Sequence, residues 1–390
     1  MIQKEKAMAL FSQTFGEGKP FCVFSHGRLE IVGNHTDHNH GLCLVGSCDL
    51  GITAAVEPRL DGIVCIKSEG FKVFSFSIHD LAHSKKEEGT SLGIVKGILF
   101  RMQELGFAIQ GFNAALSSDI VSGSGVSSSA CFESLIVKIE DHLCNNDSVP
   151  ALTMAKIGQF AENVYFGKPS GLLDQVGTSY GGVAFLDFGD MDNVIVDPMK
   201  FDLPLDVTLV QTPSSHANLT PLYASIPSDM KSVARIVFGK EVLRDVDARQ
   251  FAQKIAQPCE GVSERAKLRA QHFFDENARV LAAKEAILHH QTDAFLDAIR
   301  GSEASSETLL ANTMPPGIYQ NSPQQAIDYA KTAISGGACR IMGGGFAGSI
   351  LCFTLKEQTP AFRTHMEKGY GANNVHPVTI LPTGPAIVQD

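Results

Sequence analysis

The chain contains no tryptophan, no Cys-x-x-Cys pair, no run of lysine or arginine and no apolar stretch long enough to cross a bilayer. Each absence closes off a class of function. Nine cysteines scattered from Cys22 to Cys352 without a paired spacing do not read as a disulfide scaffold, and they fit a reducing compartment. A formal charge of −10 with no basic run repels nucleic acid and anionic membrane surfaces, so neither is expected as a partner. Lys4 and Lys6 precede an apolar run, Ala7 to Phe11, that is too short for a secretory signal, so the expected location is the cytoplasm. No fixed-period repeat occurs, which sets solenoids and propellers aside. The Walker A spacing Gly-x-x-x-x-Gly-Lys is missing as well.

What remains is a chain of 390 residues, 44% apolar and 19% charged, enough for two or three domains with real cores. Its most distinctive stretch is Val121 to Ala130, Val-Ser-Gly-Ser-Gly-Val-Ser-Ser-Ser-Ala. Behind it, Phe132, Leu135, Ile136, Ile139 and Leu143 recur at helical spacing, with Glu133, Lys138, Glu140 and Asp141 between them. Two closely spaced glycines let a backbone approach a bulky ligand, and free N–H groups at a helix start attract anions. The same residues also suit a plain capping turn.

A second polar stretch runs from Ser25 to Gly41, where Arg28, Asn34, His35, Asp37, His38, Asn39 and His40 lie between apolar strands. It reads as a solvated loop or as a site. A metal is disfavoured, because the histidines match no standard ligand spacing and no second ligand pair follows. Leu42 to Val56 and Ile63 to Ile78 alternate as strands of one sheet, and Ser91 to Leu105 is helical. Phe112 to Leu116 should be the strand that feeds the glycine-serine loop. A helix over about 153 to 165 packs through Met154, Ile157, Phe160, Ala161 and Val164, with Glu162 beside that face. Asp174 follows among small and apolar residues, as a turn or cap residue or as something more. Pro204 and Pro213 bracket a strand near a domain boundary, and Ser214 to Asp229 is polar around Tyr223. Glu264 to His289 is a long helix whose charges fit a solvated face. Three consecutive glycines, Gly343 to Gly345, make a poor strand and imply close backbone approach to a ligand or a neighbouring loop.

Three separated motifs carry a resemblance. Gly27-Arg28-Leu29-Glu30-Ile31-Val32-Gly33-Asn34-His35-Thr36-Asp37 resembles the galactokinase signature, usually Gly-Arg-Val-Asn-Leu-Ile-Gly-Glu-His-Thr-Asp-Tyr. Gly123 to Ala130 resembles the phosphate loop of the GHMP kinases, the superfamily of galactokinase, homoserine kinase, mevalonate kinase and phosphomevalonate kinase. Gly343-Gly-Gly-Phe-Ala-Gly-Ser349 is similar to their third motif, and Gly171-Leu-Leu-Asp-Gln175 to the galactokinase Gly-Ile-Met-Asp-Gln.

The resemblance implies an α+β fold of two domains. The first, 1–205, would be α/β with a left-handed crossover; the second, 206–390, would be ferredoxin-like, with the active site in the cleft between them. It further implies ATP, Mg2+ and transfer of a phosphoryl group to the anomeric hydroxyl of a hexose, galactose first. Arg28 and Asp174 match the catalytic pair; Asn34, His35, Asp37, Gly171 and Tyr223 match sugar-binding positions. Gly123, Ser124, Gly125, Val126, Ser127, Ser128, Ser129 and Ala130 would hold the nucleotide, with Ser129 and Glu162 near the metal.

The departures bear on specificity. Asn34 replaces a glutamate, His38 a tyrosine and His40 a glycine; loss of the charge at position 34 leaves room for a uronic acid in place of galactose. Ser91 stands where many galactokinases have a tryptophan near the adenine, which implies a looser purine pocket. A non-phosphorylating sugar and ATP sensor is the alternative class. The complete Ser127-Ser128-Ser129-Ala130 loop, with Arg28 and Asp174 both retained, favours an enzyme.

Overall fold

The computed structural model describes residues 2–121, 123–168, 170–257 and 259–389. Twelve strands are found among them: β1 (Phe21–Val32), β2 (Leu42–Arg59), β3 (Ile63–Ser68), β4 (Phe74–Ser77), β5 (Gly111–Ser118), β6 (Val183–Asp187), β7 (Ile195–Met199), β8 (Leu205–Gln211), β9 (Ala338–Ile341), β10 (Ser349–Leu355), β11 (Val375–Val378) and β12 (Ala386–Val388). They form two sheets. The first runs β12-β1-β2-β5-β3-β4, with β6 on the other half of the long β2 and β7 beyond it. Its pairings are antiparallel except β3 with β5, which are parallel and joined through β4 and the helix Ser91–Glu104.

Side-chain alternation sorts this sheet's two faces. Val23, Ala54, Val56, Ala114 and Leu116 pack under the helices Ser91–Glu104, Ser128–Cys144 and Ala151–Phe160. Cys22, Ala55 and Ala115 pack against Ala7 and Phe11 of the helix Ile2–Phe15. The region 63 to 78 is a hairpin of two strands rather than one, turned by a bend that includes Gly70 at φ 78°.

The second sheet runs β11-β8-β10-β9, antiparallel throughout. Numbered by appearance this is the order 4-1-3-2 of a ferredoxin-like β-α-β-β-α-β unit. The first crossover is enlarged by the helices Thr220–Phe238, Ala248–Ile255, Glu264–Leu288, Thr292–Ser305 and Pro323–Lys331; Thr359–Tyr370 is the second. One core joins the sheets: Leu29, Ile31 and Leu44 share a cluster with Val207, Leu209, Leu351, Phe353, Val280 and Phe295. After β11 the chain returns to the first sheet, where Cys22, Val23 and Phe24 pair with Val388, Ile387 and Ala386.

Three readings of helices need correction. The helix expected to reach Tyr165 turns π-helical over Ala161–Phe166 and closes at Gly167, φ 79°. The wider turn delays the helical phase, so Tyr165 takes the buried place expected for Val164, which is 45% exposed, and Glu162 is buried. The polar stretch 214–229 is helical from Thr220, with Pro221 in its first turn and Pro227 inside. The helix Glu264–Leu288 is not simply solvated, since Arg269, His272 and Glu276 point inward and are buried.

Candidate active site

The site begins with β1. Arg28 and Glu30 are two residues apart on a strand and therefore face the same way, while Leu29 and Ile31 fill the core behind. Register shifts against β2 fall between His26 and Arg28 and between Glu30 and Val32, so this short stretch is bulged at both ends. Bulges re-aim side chains and are common beside active sites. Gly27 allows the close approach: a Cβ there would lie 2.7 Å from the Val126 carbonyl, which accepts a hydrogen bond from the Arg28 N–H at 2.9 Å.

Two cavities meet at this strand, and a third adjoins them. The first, about 210 Å³, is polar and lined by Arg28, Glu30, Asn34, His35, Asp37, His38, Glu162, Lys168, Gly171, Asp174, Gly343 and Gly344 among others. The second, about 300 Å³, is walled by Gly123 to Ser129 on one side and by His216, Met342 and Gly348 on the other. The third, about 750 Å³, is largely apolar, with Ile52, Phe71, Phe74, Ile94, Leu116, Phe132 and Phe166 in its wall beside Ser91, Ser128 and Ser129. Arg28, Lys168, Asp174, Gly343 and Gly344 border both of the first two, and Ser128 and Ser129 border the second and third.

At the junction, Arg28 Nε donates to Asp174 Oδ1 at 2.8 Å and its Nη2 lies 2.7 Å from the same oxygen. Nη1 donates to the Gly125 carbonyl, and the Ser127 hydroxyl donates to Asp174 Oδ2. Asp174 stands in the first turn of the helix Leu173–Ser179, which approaches β1 closely because Gly177 packs on the Arg28 stem. Burial would raise the Asp174 carboxyl, but Arg28, Ser127 and Lys168 outweigh it and hold the group below the usual carboxylate range. Burial opposes the Arg28 charge in the same way, and Asp174 and Glu30 more than compensate.

The loop before the helix Ser128–Cys144 alternates in hand, with Gly123, Gly125 and Ser127 at φ 79°, 77° and 61°. Ser128 and Ser129 are exposed at the helix start, Ala130 is buried behind them, and the Ser124 hydroxyl is buried with no hydrogen-bond partner among the described residues. This helix is buried more fully than its sequence implied: Glu133, Glu140 and Asp141 are all enclosed. Glu162 accepts from Lys168 Nζ at 2.8 Å and from Gln175 Nε2 at 2.9 Å.

In the polar cavity, His35 takes φ 58° and donates from Nε2 to the Gly344 carbonyl at 2.8 Å, which leaves Nδ1 to accept from His38 Nε2 at 2.8 Å. Burial, with His38 nearby, lowers its pKa to about 3 and keeps it neutral. Asp37 lies beside Gly171, whose absent side chain leaves room for Oδ2 at 3.1 Å from a would-be Cβ. The turn at Gly33 and Asn34 is held from the helix Glu264–Leu288. Glu276 Oε1 accepts both backbone N–H groups at 3.1 and 3.3 Å, and His272 Nε2 donates to the Asn34 carbonyl at 2.9 Å.

Two expected sugar contacts are placed differently. Both hydrogens of the Asn34 amide are taken by the protein: it donates to Glu30 Oε1 and the Gly343 carbonyl, both at 2.7 Å, and its Oδ1 accepts from Asn312 Nδ2 at 2.8 Å. Tyr223 stands behind the glycine turn, with its hydroxyl on the Gly345 carbonyl at 3.0 Å and on His216 at 2.7 Å, away from the wall of the polar cavity.

The galactokinase galactose-binding signature matches residues 9–58, and the GHMP kinase N-terminal domain matches residues 93–182. A galactokinase of Glaesserella parasuis is 30% identical over 377 residues, spanning 94% of this chain and 93% of the relative. The chain belongs to the galactokinase family. It is accordingly a phosphotransferase. A second galactokinase, from Actinobacillus pleuropneumoniae, is 28% identical over 95% of this chain and 94% of its own. The fold matches the Lactococcus lactis galactokinase solved with galactose at a TM-score of 0.83, with 24% identity and full coverage of both chains. The mevalonate kinase of Methanococcus jannaschii matches at 0.66, with 12% identity over 94% and 99% of the two chains.

Where the usual pattern has asparagine and, four residues on, glutamate, this chain has Glu30 and Asn34. Glu30 thus places a carboxylate on the wall of the polar cavity, two residues from Arg28. Glu30 rests on Arg340, a fully buried arginine whose Nη1 also donates to the Glu30 and Ile31 carbonyls at 2.8 and 3.1 Å. Burial raises the Glu30 pKa despite Arg340 and Arg28. Ala347 keeps an ordinary backbone, and it is the preceding Phe346 that takes φ 57°.

Proposed function

We propose that the protein transfers the γ-phosphoryl group of ATP to the anomeric hydroxyl of galactose. The observation that carries this reading is that Arg28 and Asp174, paired at 2.7 to 2.8 Å, sit on the wall common to a polar cavity of hexose size and the cavity of the glycine-serine loop. Loop amides at the start of a 17-residue helix suit the phosphates, and the apolar cavity beyond them suits the purine.

A sugar hydroxyl is a weak nucleophile, and a carboxylate at that wall orients it and accepts its proton as bonding to phosphorus develops. Arg28 keeps Asp174 ionised and meets the charge on the transferring group. Mg2+ fits the donors available, since it takes few protein carboxylates and completes its shell with phosphate and water oxygens. Glu162 and the Ser129 hydroxyl would hold it, and when bound it supplies charge neutralisation on the phosphates. His35, Asp37 and Gly171 shape the sugar side of the cleft, and Gly123 to Ala130 the nucleotide side.

ADP release measured over a panel of hexoses at saturating ATP tests the proposal. Turnover with galactose well above that with glucose is expected. Sugar binding without ADP release would mark a sensor instead and reject it.

A further inference from the structure

Glu30 shares the cleft-facing side of β1 with Arg28, and its carboxylate has one oxygen to spare. Oε1 accepts from Asn34 Nδ2 at 2.7 Å and from Arg340 Nη2 at 3.3 Å. Oε2 has no hydrogen-bond partner among the described residues, is not sealed from the cavity, and belongs to a residue on the cavity wall. Asn34, by contrast, has both amide hydrogens and one lone pair of Oδ1 engaged by protein groups. Resting on the kinase reading above, we propose that Glu30 is the residue that grips a hydroxyl of the acceptor sugar, and that Asn34 is the positioning residue that holds it.

Relative to the usual signature pattern, Glu30 and Asn34 are exchanged, which keeps the charge of the pair. The exchange moves the carboxylate from the turn onto the strand. There Arg340 supports it from below and the bulge at Ile31 sets its direction. In its ionised form, beside Arg340, the carboxylate only accepts, so the matching ligand group is a hydroxyl donor. A sugar carboxylate at the same point would set acceptor against acceptor, which makes the acceptor a neutral sugar rather than a uronate.

The test compares kcat/KM for galactose and its 2-, 3-, 4- and 6-deoxy analogues in the wild type, Glu30→Gln, Glu30→Asn, Asn34→Ala and the double exchange Glu30→Asn with Asn34→Glu. A hydrogen bond to a charged acceptor sets the scale, so Glu30→Gln should lower kcat/KM for galactose about 10- to 100-fold, mainly through KM. For one deoxy sugar, already poor with the wild type, that penalty should vanish. Asn34→Ala should show the same sugar-selective pattern more weakly, and the double exchange should recover about tenfold over Glu30→Asn alone. Glutamine keeps an acceptor for Arg340, so melting temperature separates loss of fold from loss of contact. An equal penalty for all sugars, or none, would overturn the proposal. If the wild type releases no ADP with any of them, the kinase reading fails on its own. The same sugars titrated calorimetrically then decide Glu30, by whether its substitution weakens binding selectively or not.

Discussion

Replacing Asp174 by asparagine changes one unit of charge at the junction of the cavities and almost no volume. In the native site the carboxylate meets Arg28 at 2.8 and 2.7 Å and accepts from Ser127. Asparagine keeps one acceptor oxygen for the guanidinium but turns an NH2 group toward Arg28 or Ser127, neither of which needs a donor. Removing one member of a fully buried pair costs about 3–5 kcal/mol. Here the Arg28 side chain is 7% exposed but that of Asp174 is 40% exposed, and Arg28 retains the Gly125 carbonyl. Solvent screening on the open side reduces the folding cost to about 1 kcal/mol, a melting shift of a few degrees. The catalytic loss is larger, because a positioned base contributes roughly 10²- to 10⁴-fold, or about 3–5 kcal/mol of barrier. A coupled ADP assay should therefore show kcat down at least about a hundredfold, with the affinity for a non-hydrolysable ATP analogue within about threefold of wild type by calorimetry. The reasoning fails if kcat stays within about tenfold of wild type, or if ATP affinity and melting temperature collapse together.

Other perturbations read other parts of the site and fold. A Cβ at Gly177 would lie 2.7 Å from Arg28 Cβ, so Gly177→Ala should push the helix Leu173–Ser179 off β1. Overpacking of about 1–3 kcal/mol should appear in the melting temperature, with kcat falling about tenfold or more as Arg28 and Asp174 separate; unchanged kcat would reject this coupling. Lys168, on Glu162 at 2.8 Å and bordering both polar cavities, is 61% exposed; Lys168→Met should cost about tenfold in kcat/KM for ATP, checked by steady-state kinetics. Burial raises the Glu140 pKa from 4.5 to about 8 although Gln110 and Cys144 donate to it. Between those values the unfolded chain has lost the proton that the folded chain keeps, so stability falls as pH rises from 4.5 toward 8. Glu140→Gln should flatten that slope and melt higher than wild type at pH 8 but not at pH 5; parallel curves would refute the assignment.

The sequence disclosed what is local and what a signature carries. Arg28, Asp174 and the loop from Gly123 were visible because their residue types and spacing are tied to a resemblance, and the strands Leu42–Arg59 and Leu205–Gln211 because apolar runs stop at turn residues. Glu30 stands within the quoted signature, but nothing in its sequence neighbourhood marks it as part of the site. Its partner Arg340 lies 310 residues away, and no local pattern links the two. His272 and Glu276 were hidden for a different reason. On a long charged helix a solvated face is the ordinary reading, and only tertiary packing shows that these two reach the backbone of Gly33 and Asn34. The π-helical turn over Ala161–Phe166 defeated periodicity itself, since one added residue shifts which side chains point inward.

The pairing of Cys22, Val23 and Phe24 of β1 with Ala386–Val388 has a bearing on how the molecule comes into being. The strand that carries Arg28 and Glu30 keeps one flank of peptide groups open until residue 386 has left the ribosome. At typical rates of elongation that is tens of seconds after the strand itself emerges. During synthesis this flank is a template for any other extended segment nearby, including the same strand on a neighbouring nascent chain. Early termination just short of that closing ribbon should therefore give material that clumps, even though every residue lining the cleft has already been made.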